Sequence, residues 1–323
     1  MATLTKTQKR INDLLNQDSQ SDASFDAEYH NTLQFISTHI NAFYTHYADE
    51  NGLSLSQTQQ RVNSWDMQQW QQAIKELDMS DWPKEAKQRA RMYSVQAGFD
   101  KTGMIGAMIG LGIVALHNHY HNHIMSRIHH DGMAEIMHAQ ATIPNQARHV
   151  KMPAKPAKKL TSIVDQDSTK EQWSSNLWLD SDKLAHDVQD LVSKNLRHGI
   201  KPADMDTLLA QHNNPKQFKP NQSLTDRLAQ SKYNARRILV TESQRVNYHV
   251  DLTTMQMNNV KYVNWVNEPS SCDDCQGLAD MSPYPINDCP RLPEDSHPNC
   301  RCHIEPATDV DASKVTGFYN LSY

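Results

Sequence analysis

This chain of 323 residues uses little glycine, few aromatic residues and no cysteine before residue 272. Ten glycines and 7% aromatic residues, together with a mean hydropathy of -0.73, favour helices with modest cores that can dock on partners. The formal net charge of -5 excludes a global attraction to nucleic acid. Any contact with DNA therefore has to come from a local basic patch.

Also absent is an apolar run of about 20 residues, which is the length that a membrane-spanning helix needs. The most apolar stretch is TGMIGAMIGLGIVAL at residues 102–116, and a polar tract follows it. We therefore predict a buried or intersubunit helix, whose glycines permit close approach of another backbone, and no stable membrane insertion. A membrane-active segment is the alternative.

The first 17 residues lack the apolar core of a secretory signal. A reducing compartment is therefore the expected environment, and it disfavours disulfides.

Apolar residues recur at helical spacing through the first hundred residues. The pattern predicts helices over 25–47, over 56–77 and from about residue 80 toward residue 98, with Pro83 in the first turn of the third. Their aromatic residues are expected to form a core or a seam between helices rather than a ligand site.

Histidines crowd the sequence after the apolar stretch. On a helix, residues four apart share a face, at a spacing that can chelate a metal ion. No acidic residue neighbours these histidines before Asp131. A metal site, a pH-responsive surface and a plain exposed face are the open alternatives. The residues are His117, His119, His121, His123, His129 and His130.

Residues 141–172 are rich in proline and lysine and predict a linker between two domains. Its lysines, and two arginines further along the chain, are the candidate contacts for double-stranded DNA, although solvated charge is the plainer interpretation. These residues are Lys151, Lys155, Lys158, Lys159, Arg236 and Arg237.

The second half of the chain predicts helices followed by a small β-sheet. Helices are expected over 181–197, capped by Asp180 or Ser181, after Pro202, and from Leu224 to about Met257. Alternation over 261–266 predicts a short strand, and a short closing strand is expected over 301–304. The expected fold class is α+β, with a mainly helical N-terminal domain and a Cys/His cluster beside the C-terminal sheet.

All five cysteines lie between residues 272 and 302. A Cys-x-x-Cys pair presents two sulfurs to one ion, and a second pair across a loop completes a tetrahedral zinc site. The candidate ligands are Cys272, Cys275, His297, Cys300 and Cys302, whereas Cys289 is expected to stand outside the set. Reduced thiols, late-formed disulfides and a catalytic cysteine are the alternatives.

Four phrases give the C-terminal region a resemblance to a known family: YNARRILVTESQRVNYHV at 233–250, VKYVNWVNE at 260–268, the Cys-x-x-Cys pair, and HPNCRCHIEP at 297–306. Over about residues 176–306 the chain resembles the phage Mu F-like domain of phage minor head, or head morphogenesis, proteins. The resemblance marks Glu242 as a signature position. We expect a structural role for Glu242 and pairing with Arg245, because no second acid or nucleophile lies at a fixed spacing nearby.

The resemblance implies a non-enzymatic protein of the virion that binds the portal protein and aids capsid assembly and DNA packaging or delivery. Scaffold or major capsid protein and nonspecific double-stranded DNA are further expected partners. The expected location is the capsid interior near the portal vertex, and the host cytoplasm during assembly. A zinc-dependent hydrolase or nuclease built on the Cys/His cluster and a membrane-active ejection protein are the alternatives.

The expected domain order is a helical docking domain at 1–140, a linker at 141–172 and a Mu F-like α+β domain at 173–306. Residues 307–323 are expected to form a tail that is mobile or lies on a partner.

Overall fold

The computed structural model describes residues 4–47, 55–143, 158–165, 170–197 and 224–319. Helices dominate, and one three-stranded antiparallel sheet lies in the C-terminal part. The predicted α+β class, mainly helical, is confirmed. The predicted helix after Pro202 and the lysines Lys151 and Lys155 lie outside the described residues.

The helices before the sheet differ widely in length. They are α1 (Lys6–Tyr47), α2 (Leu55–Thr58), α3 (Ser64–Glu76), α4 (Lys84–Gln96), α5 (Lys101–Thr142), α6 (Lys158–Asp165), α7 (Lys170–Arg197) and α8 (Leu224–Met257). The range predicted for α8 is therefore confirmed at both ends. Helix α1 begins well before the predicted residue 25, and α7 begins before the predicted cap at Asp180.

The predicted helix over 56–77 is interrupted between α2 and α3. Asn63 caps α3, because its side chain accepts hydrogen bonds from the backbone N–H groups of Trp65 and Asp66, and the backbone N–H of Asn63 donates to the carboxylate of Asp66. This reciprocal pair satisfies amides that a helix start leaves open. The periodicity of the apolar residues did not reveal the break.

The chain divides into two compact units. One, the sheet unit, contains residues 1–22, 123–171 and 236–323, and the other, the helical unit, contains residues 23–122 and 172–235. Long helices such as α1 and α5 contribute residues to both units, so neither unit is one continuous stretch of the chain. The predicted division at residues 140 and 172 stays a prediction.

The apolar stretch at 102–116 is buried in the helical unit, as predicted, within the first half of α5. A Cβ added at Gly110 would lie 2.2 Å from the ring of Tyr93, so glycine at this position admits an aromatic side chain from α4. Within the described residues, no helix combines the length and the apolar character required to cross a bilayer.

The sheet has the strand order β2-β1-β3. Strand β1 (Tyr262–Val266) pairs with β2 (Tyr284–Pro285) and with β3 (His303–Pro306), both antiparallel. Its alternating pattern buries Val263 and Trp265 against a core that includes Tyr284 and Ile304. The short helix α9 (Asp273–Asp280) lies between β1 and β2 in the chain, and neither α9 nor β2 was predicted.

The predicted tail packs against this core as far as residue 319. A single 3-10 turn covers Ala312–Lys314, and Phe318 then donates its backbone N–H to the carbonyl of Asp288 and contacts the Tyr284 ring edge-on. Phe318 is apolar and loses exposed surface there, which accounts for the placement on its own sheet unit.

Candidate metal centre

The sheet and helix α9 bring together the sulfurs and the imidazole that the sequence singled out. Cys272 caps α9 and Cys275 lies in its first turn, while His297, Cys300 and Cys302 lie on the segment that leads into β3. Asn299 adopts a positive φ of 68°. Asparagine tolerates this conformation better than most residues, and the chain turns there between His297 and Cys300.

The distances fit a tetrahedral ion. Cys275 Sγ lies 3.7 Å from Cys300 Sγ and 3.6 Å from His297 Nε2. A zinc ion with Zn–S bonds of about 2.3 Å separates two of its sulfurs by about 3.8 Å. Cys272 lies within 4.8 Å of Cys275 and His297, and His297 within 4.8 Å of Cys300. Cys275, His297 and Cys300 are therefore common to two sets of four, which Cys272 or Cys302 completes, and Cys272 is the one that forms the predicted Cys-x-x-Cys pair with Cys275.

His297 directs its ring nitrogen Nε2 toward the cluster, as a metal ligand would. His297 Nδ1 lies 2.9 Å from the carbonyl oxygen of Pro298. A carbonyl only accepts hydrogen bonds, so Nδ1 carries the proton and Nε2 offers its lone pair toward Cys275. This is the arrangement that metal-ligating histidines adopt.

The five cysteines are free thiols. A disulfide would bring two sulfurs to about 2.05 Å, well below the separation of Cys275 and Cys300. Cys289 stands outside the cluster, as predicted, and its sulfur contacts the hydroxyl of Tyr248 and the carbonyl of Ile286.

Negative charge in the cluster concentrates on one sulfur. Hydrogen bonds from Cys275 and from Cys302 outweigh burial and lower the pKa of Cys300 to about 2. The pKa of Cys275 and that of Cys302 are raised, chiefly because each shares its proton with Cys300, and because both are buried. The backbone N–H of Cys275 lowers the pKa of the exposed Cys272. A divalent cation would replace the shared protons.

Two residues lie at the margin of the cluster. Cys302 is buried and close to Cys275 and Cys300, and its sulfur is 3.9 Å from Asn267 Oδ1. Glu268 lies within 4.8 Å of His297 and Cys300 as a further oxygen donor, and burial together with the charge of Cys300 raises its pKa. The spacing of cysteines gave no signal for Glu268.

Arg301, between the last two cysteines, has a role that the sequence did not reveal. Its guanidinium is fully buried and donates two hydrogen bonds, of 2.8 and 2.6 Å, to the carboxylate of Asp18. It also donates to Ser243 Oγ at 3.0 Å, and Arg127 pairs with both Asp18 and Asp131. This buried ionic network fixes the segment that carries Cys300 and Cys302.

Glu242 accepts a hydrogen bond from Arg245 at 3.0 Å, which agrees with the predicted local pairing. Arg245 also bonds to Glu294, in the segment between β2 and β3. Glu242 therefore helps to connect helix α8 to the chain near the cluster.

Four of the six candidate DNA contacts lie within the described residues. Lys158 and Lys159 are exposed at the start of α6, and Arg237 is exposed on α8. Arg236 pairs with Asp22 at 2.8 Å, which offsets its positive charge.

The histidine tract does not converge on a site among the described residues. His117 is buried, and its Nδ1 lies 2.9 Å from the carbonyl of Ile113, one turn earlier. The others point to different surroundings: His119 contacts Ser24, His121 lies beside Trp173, His123 contacts Ser21, and His129 and His130 are exposed.

The structure therefore contains Cys/His clusters that could hold a metal ion. Comparison of the chain with protein-family models, with curated proteins and with solved structures finds no match.

Proposed function

We propose that Cys272, Cys275, His297 and Cys300 hold one structural Zn²⁺ ion that fastens the small sheet. The observation that carries this proposal is the set of near-tetrahedral separations around Cys275. Three sulfurs and one nitrogen are donors that zinc prefers, and four protein ligands close the coordination shell. A three-stranded sheet with a two-residue edge strand is small enough to need such a fastener.

We further propose that the protein is a non-enzymatic phage minor head protein that binds the portal protein and aids capsid assembly and DNA packaging or delivery. Support comes from the phrases that resemble the Mu F-like domain and from the positions of their residues. The closing HPNCRC phrase supplies two of the proposed ligands and the buried Arg301, and the Thr-Glu phrase on α8 lies near it, since Asn299 N–H donates to Thr241 Oγ1 at 3.3 Å.

A hydrolase built on the same cluster is less well supported. Catalytic zinc keeps one coordination position for water, whereas the proposed set supplies four protein ligands. A hydrolase also needs a base beside the metal, and the neighbouring His303 directs its Nε2 toward Glu135 instead, at 3.6 Å from the carboxylate.

Zinc analysis of the full-length protein tests the metal part of the proposal. We expect about one equivalent that Cys275→Ser removes and that Cys289→Ser retains, because Cys289 lies outside the cluster. Thermal unfolding that is identical with and without a strong chelator would reject a structural zinc.

Co-sedimentation with portal rings of the same phage tests the assembly role. The wild-type chain is expected to pellet with the rings, and a competing excess of untagged chain is expected to displace a tagged one. A chain that is folded and zinc-loaded but stays in the supernatant would reject portal binding and leave the zinc site standing.

A further inference from the structure

A second group of metal-binding side chains lies in the sheet unit, away from the cysteines. Glu135 on α5, Asp251 on α8 and His303 on β3 place one ligand atom each within 4.8 Å of one another. These side chains are almost completely buried, with exposed fractions of 0%, 2% and 1%. Burying two carboxylates together is costly unless charge or hydrogen bonds compensate.

His303 is oriented as a ligand. Its Nδ1 lies 3.0 Å from the carbonyl oxygen of Arg301, which can only accept, and 3.4 Å from Gln244 Nε2, which already donates to the carbonyl of Cys302 at 2.6 Å; the shorter contact of Nδ1 therefore assigns the proton to it. The lone pair of Nε2 then faces Glu135 Oε2 at 3.6 Å, a separation too long for a hydrogen bond. His303 Nε2 and Glu135 Oε1 are both buried without a hydrogen-bond partner. A cation between them would satisfy both atoms.

His138, one turn after Glu135 on α5, offers a fourth donor atom. Glu135 and His138 form a Glu-x-x-His pair on one helix face, and His138 Nε2 lies 4.0 Å from Glu135 Oε1. The rings of His138 and His303 are 6.5 Å apart. Helix bundles use this Glu-x-x-His spacing, with carboxylates from facing helices, to hold first-row transition metals.

The local charge is consistent with a cation. Arg10 donates to Glu135 Oε2 at 2.8 Å and so compensates one carboxylate. Asp251 places a second acid in the same buried space, and its charge needs compensation whenever it is ionised. Either a proton shared with Glu135 or a metal ion can balance it.

We propose that Glu135, His138, Asp251 and His303 form a second metal site, for a divalent first-row transition cation that prefers nitrogen and oxygen donors. Mn²⁺ is a suitable probe, because carboxylate oxygens suit it, whereas the thiolates of the other cluster favour Zn²⁺. A shared proton is the rival occupant. Because the site is buried, we expect the metal to be loaded as the chain folds.

The test uses the full-length protein produced in manganese-supplemented medium and purified without chelator. We expect about one Mn²⁺ per chain, and pulsed EPR should detect coupling of the bound ion to imidazole nitrogen. Asp251→Asn is expected to lower the manganese content at least about tenfold, while Asp280→Asn, an exposed acid on α9, leaves it unchanged.

Two results would overturn the site: wild-type protein that retains no Mn²⁺ with nitrogen coupling, or undiminished Mn²⁺ in folded Asp251→Asn. The first needs no variant, so a variant that misfolds does not protect the proposal. The zinc measurement on Cys275→Ser is separate, because it concerns a different set of ligands.

Discussion

Two stretches of this chain are rich in metal-binding side chains, and the structure treats them differently. The histidines from His117 to His130 lie on one continuous helix, where successive side chains point in different directions. The cysteines and His297 lie on a helix cap, a first turn and an extended segment that converge on one point. A high density of ligands in the sequence is therefore a weaker indicator than backbone that bends back on itself.

The largest difference between the two stretches should appear on removal of one sulfur. Cys275 belongs to two of the three groups that contain a cysteine, so Cys275→Ser should remove the zinc and lower the free energy of unfolding by at least about 5 kcal/mol. Cys289→Ser should cost only about 1–3 kcal/mol, the penalty for a poorly paired buried hydroxyl. Denaturant unfolding of both variants measures this. Equal losses would contradict a special role for Cys275.

Arg301 provides the next largest effect. Arg301→Met leaves Asp18 buried with fewer partners, and we expect a loss of about 3–5 kcal/mol. Arg291→Met is the matched control, since Arg291 is 57% exposed where it pairs with Asp295 and is expected to lose about 1 kcal/mol at most. Chemical denaturation compares them, and a harmless Arg301→Met would show that the buried network is dispensable.

The close packing of the apolar part of α5 can be tested at one of its glycines, Gly110. Gly110→Ala forces the Tyr93 ring to move and should cost about 1–3 kcal/mol. Gly277→Ala meets no atom within 4 Å and should stabilise the protein by about 0.5–1 kcal/mol, because alanine is the better helix former. Neither change should alter the metal content. Thermal unfolding measures both variants, and changes in Tm of opposite sign would support the close approach of Tyr93 to Gly110. An unchanged Tm for Gly110→Ala would contradict it.

A smaller effect concerns pH. Burial alone would raise the pKa of Asp180, but contacts with His117, Ser231 and Asn234 lower it overall. A carboxyl whose pKa is lower in the folded state stabilises the fold above its unfolded pKa of about 4 and loses this contribution as pH falls further. Asp180→Asn should therefore have a shallower loss of stability below about pH 4. The free energy of unfolding is measured as a function of pH, and a curve below about pH 4 that is identical in the variant and the wild type would exclude this contribution.

The smallest effect is expected from the exposed end of the tract. The double change His129→Ala with His130→Ala should alter the free energy of unfolding by about 0.5 kcal/mol or less and leave the metal content unchanged. A drop in bound metal would mean that the tract contributes ligands after all.

Local patterns predicted the elements that are long or regularly alternating. The apolar spacing of α8 and the alternation of β1 were sufficient, because each element buries one face of its own sequence. The eight-residue helix α9 and the two-residue strand β2 are too short to show a period. Their formation depends on the packing of the sheet unit.

The candidate zinc ligands could be named from the sequence because they lie within 31 residues of one another. The partners of Arg301 could not, since Asp18 is 283 residues away in the chain. The Glu-x-x-His spacing of Glu135 and His138 can be read from the sequence, but Asp251 carries no such signal, and these acids come together with His303 only when α5, α8 and β3 assemble.

Successive side chains of the segment from Cys300 to His303 point alternately toward two different groups of residues. Cys300 and Cys302 face the sulfur cluster, whereas Arg301 and His303 face buried acids. Inserting a single residue here would exchange the two sets of side chains and direct a guanidinium at the thiols and a thiol at the carboxylates. Length changes inside this tetrapeptide are therefore expected to abolish folding.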